Sequence, residues 1–269
     1  MKIIIGVLVF LIPFSAYAET AILGFGSAEF TQDLETDRPD FTEGTQTIQA
    51  GHLQFESGYT FTNDKQAGVD TTSHGYPELL VRAGLAEGLE LRIFWEGWAH
   101  SKTNDAVVSL EQDGANDMSL GFKAAISEQS GSLPSTSLIA EVGLPVGNKE
   151  FSSGEAAPAA KYLMAYDLNE IFSLASNLNL AFPVVDDDRY FELEGSLSLG
   201  IGLTENLGGY LEFYSIVPAE TTSEFDQHYF NGGFTYLLNA NTQLDIRAGL
   251  GINDNSDDFF TGAGLSFRL

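Results

Sequence analysis

The residues of this sequence with the most obvious chemical potential are its four histidines, a few serines beside them and a large excess of carboxylates. His74, His100 and His228 stand near Ser73, Ser101 and Asp226. These are the residue types of a Ser/His/Asp or Asp/His hydrolase, in which an imidazole takes a proton and a carboxylate orients it. No nucleophile motif surrounds any of these serines, and sequence neighbours on a strand point to opposite faces. Asp186, Asp187 and Asp188, like Asp254, Asp257 and Asp258, are carboxylate clusters of the kind that take divalent cations. Neither has the spacing of a calcium loop, and a solvated acidic surface is the simpler reading. There is no glycine-rich phosphate loop, and the histidines and acids lack metal-ligand spacing, so neither cofactor nor metal is expected.

A second group of ionisable residues is more regular. Glu56, Glu78, Arg82, Arg92, Glu96, Lys123, Glu141, Lys161, Glu192, Glu194, Glu212, Asp245 and Arg247 all fall in segments where polar and apolar residues alternate. With Glu90, Asp117, Asp167 and Arg268 they make eleven acids and six bases, and all lie on the face opposite the main apolar set. One such segment reads Leu89, Leu91, Ile93, Trp95 against Glu90, Arg92, Phe94, Glu96; another reads Leu193, Leu197, Leu199, Ile201 against Glu192, Glu194, Ser196, Ser198. A period of two with branched and aromatic residues signals strands.

Twelve strands can be placed, at approximately 51–62, 76–85, 89–99, 117–127, 137–146, 158–168, 171–183, 190–203, 207–217, 228–238, 242–252 and 259–269. Most are close to the nine to eleven residues with which a tilted strand crosses a hydrocarbon layer. Their connections alternate in length. Ala86-Glu87-Gly88, Asn169-Glu170, Thr204-Glu205-Asn206 and Asn239-Ala240-Asn241 are tight, and 128–136 is the longer member of that set. The others (63–75, 100–116, 147–157, 184–189, 218–227 and 253–258) are longer and polar. Short turns at one end and long loops at the other describe an outer-membrane barrel, with both termini on the periplasmic side. A soluble sandwich also alternates, but it gives no reason for its polar face to carry Gly58, Gly84, Gly121, Gly143, Gly200, Gly249, Gly262 and Gly264, which suit the inner side of a closed wall. Pro77, Pro145, Pro158, Pro183 and Pro218 fall at the loop-side ends of these strands, where a missing N–H matters least.

The chain opens with Met1-Lys2, an apolar run from Ile3 to Phe14 and Ala16-Tyr17-Ala18. This reads as a secretory signal peptide cleaved after Ala18, since the run is too short to span a bilayer as a helix. The absence of Cys excludes a lipoprotein anchor. A hydrophobic fraction of 43% with 12% aromatics argues against disorder. A formal charge of −26 repels nucleic acid. Residues 19–50 form either a periplasmic leader or a plug-like segment; as a plug, Asp37, Arg38 and Asp40 would pair with charges of the lumen.

Glu35-Thr36-Asp37-Arg38-Pro39-Asp40-Phe41-Thr42, followed by Ala50-Gly51-His52-Leu53-Gln54-Phe55-Glu56, resembles the opening of a family of outer-membrane proteins. That family is called Putative MetA-pathway of phenol degradation. Phe260-Thr261-Gly262-Ala263-Gly264-Leu265-Ser266-Phe267-Arg268-Leu269 resembles its final strand, and the likeness covers residues 35–269. The ending also resembles the signal read by the barrel-assembly machinery, except that Leu269 stands where an aromatic is usual and Phe267 lies two before it. The resemblance implies a transporter of small solutes, with small aromatic or hydrophobic compounds among them. The expectations are therefore an all-β, twelve-stranded up-and-down transmembrane barrel at 51–269, exported to a Gram-negative outer membrane. Its partners would be lipid, the assembly machinery and a small solute. Twelve strands stand between barrels filled by side chains and barrels with an open channel, so the passage should be narrow. Eleven strand acids against six bases leave −5, favouring cations weakly. A barrel hydrolase and a closed structural or adhesive barrel are the alternatives. Opposed Glu78, Arg82, Arg92 and Glu96 would form either a selective constriction or a network that seals the wall.

Overall fold

The computed structural model describes residues 29–185, 188–219 and 226–269. The expected signal peptide at 1–18, the first ten residues after it, Asp186 and Asp187 lie outside the described residues. Twelve strands make the wall: β1 (Leu53–Gln66), β2 (Val69–Ala86), β3 in two segments (Leu89–Trp95 and Trp98–Asn104), β4 in two segments (Ser109–Ala115 and Met118–Ser127), β5 (Ser135–Leu144), β6 (Ala157–Asp167), β7 (Phe172–Ala181), β8 (Glu192–Gly202), β9 (Leu207–Pro218), β10 (Gln227–Asn239), β11 (Thr242–Gly251) and β12 (Phe259–Arg268). Each pairs antiparallel with the next, and β1 closes the ring on β12, with Phe55 opposite Phe267 and Tyr59 opposite Ala263. Closure leaves the wall without a free edge at the level of the ring, so every strand there finds both its partners.

The alternation of the sequence becomes an inversion of the usual protein. Glu56, Glu90 and Lys123 have 0% of their surface exposed, whereas Leu211 and Phe234 keep 46% and 50%. In water such an apolar exterior would be a liability; against lipid it is the required surface, since an Arg or Lys there costs about 2–4 kcal/mol near the midplane. The register carries this side by side across strands: Arg82 sits opposite Arg92, Glu90 opposite Lys123, Gly121 opposite Glu141, and Ser198 opposite Glu212, all inward.

Two of the expected long loops are strand instead. Residues 63–75 continue β1 and β2 to a two-residue turn at Ala67-Gly68, and 100–116 continue β3 and β4 to a short tip at 105–108. The four extensions form a ribbon standing above the rest of the rim. Their Thr, Ser, Asn and Lys residues lack an apolar face, so the period-two signal fades there although backbone pairing persists. Thr71 and Thr103 hydroxyls, 3.3 Å apart, and Lys102 with Glu111, at 2.6 Å, link the strands. The same extension moves Pro77 from a strand end into the body of β2. It stands where β2 changes partner from Trp95 to Trp98, across the Glu96-Gly97 break in β3, and no ladder N–H is needed there. Pro145 and Pro183 follow β5 and β7, Pro158 is the second residue of β6 and Pro218 the last of β9, all at strand ends as expected. A 3-10 turn at Lys149–Phe151 and a small ribbon of Val184–Val185 with Asp188–Arg189 complete the long-loop end.

Candidate functional site

The interior of the ring is occupied by residues 29–50, which take no regular secondary structure. A strap without strand or helix must find partners for its backbone elsewhere, and here the ionised side chains of the wall supply them. Glu56 accepts the N–H groups of Asp37 and Arg38 at 2.9 and 3.0 Å. Glu212 accepts those of Phe41 and Thr42 at 2.9 and 2.7 Å, and Glu90 that of Ile48 at 2.8 Å. In return Arg82 donates to the carbonyls of Glu35 and Gln46, Lys123 to Gly44, Arg247 to Pro39, and Arg268 to Gln32 and Asp33. Inward charges placed by strand alternation thus serve as the strap's hydrogen-bonding scaffold.

Asp37 is the centre of this arrangement. Its carboxylate meets Arg92 at 2.5 Å, Lys123 at 3.1 Å and Arg82 at 3.5 Å. Glu90 bridges Arg82 at 3.0 Å and Arg92 at 2.8 Å, and Glu56 meets Arg82 at 3.1 Å. The wall alone contributes Arg82, Arg92 and Lys123 against Glu56 and Glu90, one positive charge in excess. Asp37 makes the cluster neutral. Buried charge left unpaired is expensive, so the wall has an electrostatic reason to hold the strap. Burial works against ionisation of Asp37, but Arg82, Lys123 and Arg92 hold it well below the usual carboxylate range. Glu43, farther along, bridges Arg92 at 3.0 Å and Lys161 at 2.7 Å, and Lys161 also meets Glu141 at 2.9 Å.

Asp40 has the opposite character. Its neighbours are Ser198, whose hydroxyl donates to it at 3.1 Å, and the carboxylate of Glu212. Burial first, and Glu212 second, raise it well above its ordinary value. Glu212 is already saturated by Phe41, Thr42 and Asn231.

Beyond the strap, toward the long loops, lies a cavity of about 560 Å³. Asp40 and Phe41 belong to its floor, and Glu78, Glu96, Asp117, Glu141, Glu192 and Glu194 line it with Arg38, Arg92, Lys161 and Arg247. In all, ten acids and four bases border it. An aromatic stack flanks the strap: Phe41 lies on Tyr214 at 4.4 Å, Tyr214 on Tyr229 at 4.7 Å, and Tyr229 meets Phe260 edge-on at 6.0 Å.

All thirteen wall residues picked out by alternation project inward, but they do not form one ring. Arg82 and Arg92 pair with Glu56, Glu90 and Asp37 rather than with Glu78 and Glu96. Glu78 pairs with Arg38 at 2.6 Å, and Glu96 stands at the cavity near Asp117 and Glu78. Glu194 accepts from Asn179 at 2.8 Å, Asp245 meets Arg38 at 3.4 Å, and Arg247 also donates to Thr60 at 2.8 Å. Sequence reasoning missed Glu43 and the central role of Glu90. Glu90 carries the same alternation signal as its neighbours; Glu43 lies in a stretch with no period.

The hydrolase constellation does not assemble. Ser73 and Ser101 face the lumen, their hydroxyls 3.3 Å apart, while His74 and His100 face outward with rings 5.9 Å apart. His100 pairs with Asp113 at 2.7 Å and His74 with the Tyr59 hydroxyl at 2.8 Å. His228 meets a different serine, Ser215, at 2.8 Å on the outer face, and Asp226 offers its backbone carbonyl to Asn253. Among the described residues no Ser, His and acid join in one hydrogen-bonded chain, and no group of three or more His, Cys, Asp or Glu could hold a metal ion.

Solved structures share this architecture. An outer membrane channel of the COG4313 family from Pseudomonas putida F1 superposes with a TM-score of 0.64 at 10% identity, covering 84% of this chain and 98% of that one. The NanC porin gives 0.52 at 11% identity over 81% and 100%. The translocator domain of the autotransporter NalP from Neisseria meningitidis gives 0.52 at 10% over 81% and 88%. Identities this low establish the fold, that of outer-membrane β-barrels, and no more. No curated protein matches the chain. The family model described as Putative MetA-pathway of phenol degradation matches residues 36–269, from the strap through the last strand, and the chain therefore belongs to that family.

Proposed function

We propose that this protein is a passive channel for small solutes, set in a Gram-negative outer membrane and restricted by residues 29–50. The observation that carries the reading is the union of two features in one lumen. A charged cavity of about 560 Å³ opens toward the long loops, and its floor is a strap held by side chains rather than built into the wall. A sealed structural barrel has no need of an acid-rich hollow, since charge enclosed without purpose costs stability. Ten acids against four bases border the hollow, and its lining stays acidic after Arg82 and Lys123 neutralise Asp37 and Glu56 and with Asp40 raised above its ordinary value, which concentrates cations and repels anions. Narrow bore follows from twelve strands and from the strap. The family name and the aromatic stack beside Phe41 favour small aromatic compounds among the solutes. Catalysis is not part of this reading, because alternation parts Ser73 and Ser101 from His74 and His100, and the Ser215–His228 pair lies on the outer face, away from the lumen.

The test is single-channel recording of the full chain in planar bilayers. Stepwise currents with potassium favoured over chloride are expected. Silence under all voltages, both in the native chain and after the strap is loosened by Asp37→Asn, would refute a channel.

A further inference from the structure

The strap is not held equally on all sides. Toward β2, β3 and β4 its acid Asp37 is matched by three bases. Toward β11, β12 and β1 the contact is of another kind. There, between the hydrogen bonds that Glu56, Arg247 and Arg268 make to the strap's backbone, the wall presents bare backbone at two glycines: a Cβ at Gly58 would stand 2.2 Å from the Arg38 guanidinium carbon, and one at Gly264 would stand 2.4 Å from Arg38 Nε. Arg38 therefore lies flat in a trough that only glycine permits. It is held at one end by Glu78 at 2.6 Å and more loosely by Asp245 at 3.4 Å. Along the same side and on the adjoining β9 and β10, buried polar atoms lack partners at successive levels. Tyr210 Oη and Asn231 Oδ1 lie toward the cavity, Asp245 Oδ2 beside Arg38, and Ser266 Oγ and Gln54 Oε1 toward the short-turn end. Asn231 and Asp245 are 3% exposed, and Ser266 and Gln54 are fully enclosed. Asp245 Oδ2 points at the bare face of Gly264, 2.5 Å from where a Cβ would stand. On the opposite wall the described residues leave Arg92 Nε and Asn179 Oδ1 unpartnered, fewer than here; a buried polar group is costly while it stays dry, so this is the side on which water gains most by entering.

We propose that the solute path runs along the β11–β12–β1 wall, and that Arg38, lying in the glycine trough of Gly58 and Gly264, is the side chain that closes it. The inference rests on the channel reading above and adds its route, its gate and its solute class. The unpartnered atoms include acceptors on Asp245, Asn231, Gln54 and Ser266 and donors on Tyr210 and on the Nε atoms of Arg38 and Arg247. A lining of both kinds suits water and small neutral hydroxylated molecules, which offer donors and acceptors together. Displacing Arg38 leaves Asp37 and its three bases in place, so the strap stays anchored while one flank opens.

Glycerol-driven swelling of proteoliposomes holding the full chain tests this. Arg38→Ala empties the trough and is expected to raise the swelling rate severalfold, since the constriction loses the side chain that fills it. Gly58→Leu in the Arg38→Ala background refills the trough, because the three heavy atoms nearest a Gly58 Cβ all belong to the Arg38 guanidinium, and should return the rate to near the native value. Gly58→Ala in the native chain keeps every charge, and by forcing Arg38 out of its seat should also raise the rate. If Arg38→Ala folds poorly, the Gly58→Ala result decides alone. Swelling unchanged in both single variants, or not reduced by Gly58→Leu, overturns the proposed route. If planar-bilayer currents persist in that case, the channel reading stands and only the route fails; if the native chain and all variants pass nothing, the channel reading fails with it.

Discussion

Asp37 carries more of the lumen's order than any other residue, because it neutralises three bases drawn from three strands. Asp37→Asn keeps the shape and removes the charge. It should destabilise the folded barrel in detergent by about 3–5 kcal/mol, the usual cost of breaking a buried ion cluster, read from urea unfolding. The pH dependence has a definite sign. Asp37 is held below its unfolded value, so its contribution is complete above about pH 4 and is lost as the pH falls through the lowered value. The gap between native and Asp37→Asn chains should therefore shrink on acidification below pH 4. Asp40 runs the other way. Burial and Glu212 raise it, so its protonated form supports the fold at low pH and that support is lost as the pH rises through the raised value. Asp40→Asn should be neutral at pH 4 and stabilising at alkaline pH; destabilisation there would show that its charge, not its burial, is what the strap uses. Selectivity is a residue-scale property as well. Glu192→Gln with Glu194→Gln removes two cavity acids and should lower the potassium-to-chloride permeability ratio in reversal-potential measurements. The inward set was legible from alternation alone, since a strand fixes which face each Glu and Arg must take. Their partners were not: Asp37 and Glu43 reach Arg92, beside Glu90, only because the strap crosses the ring, and no period in residues 29–50 encodes that path.

At the level of elements, the ladder extends farther than the apolar pattern that reveals it. From Leu53 to Phe61 alternation marks β1, but from Thr62 to Gln66 both faces are polar and only backbone pairing defines the strand. The same holds for Val69–Ala86 above Gly75 and for the outer halves of β3 and β4. The turn at Ala67-Gly68 has both residues at positive φ, 51° and 85°, the conformation that suits a two-residue hairpin. Alanine is strained there while Asn or Gly is not. Ala67→Asn should stabilise the hairpin by about 0.5–1 kcal/mol, seen as slower protease nicking of the ribbon with no change in conductance. A faster cut would mean that the turn is set by something other than its dihedrals.

The molecule as a whole is a wall and a strap with separate tasks. The wall turns its aliphatic face outward and its charges inward, and its closure on β12 was visible in the even count of strands and the alternation of turn lengths. The strap converts that charged interior from a pore into a restricted passage, and its hold depends on side chains that can let go. The most direct measurement exploits the absence of cysteine from the sequence. The hydroxyls of Thr42 on the strap and Ser196 on β8 are 2.8 Å apart, so Thr42→Cys with Ser196→Cys places a disulfide between strap and wall. In planar bilayers the oxidised protein should keep only the current that passes beside Arg38, and a reductant added to the same membrane should raise it to the conductance of the native chain. Equal currents before and after reduction would contradict a strap-restricted channel.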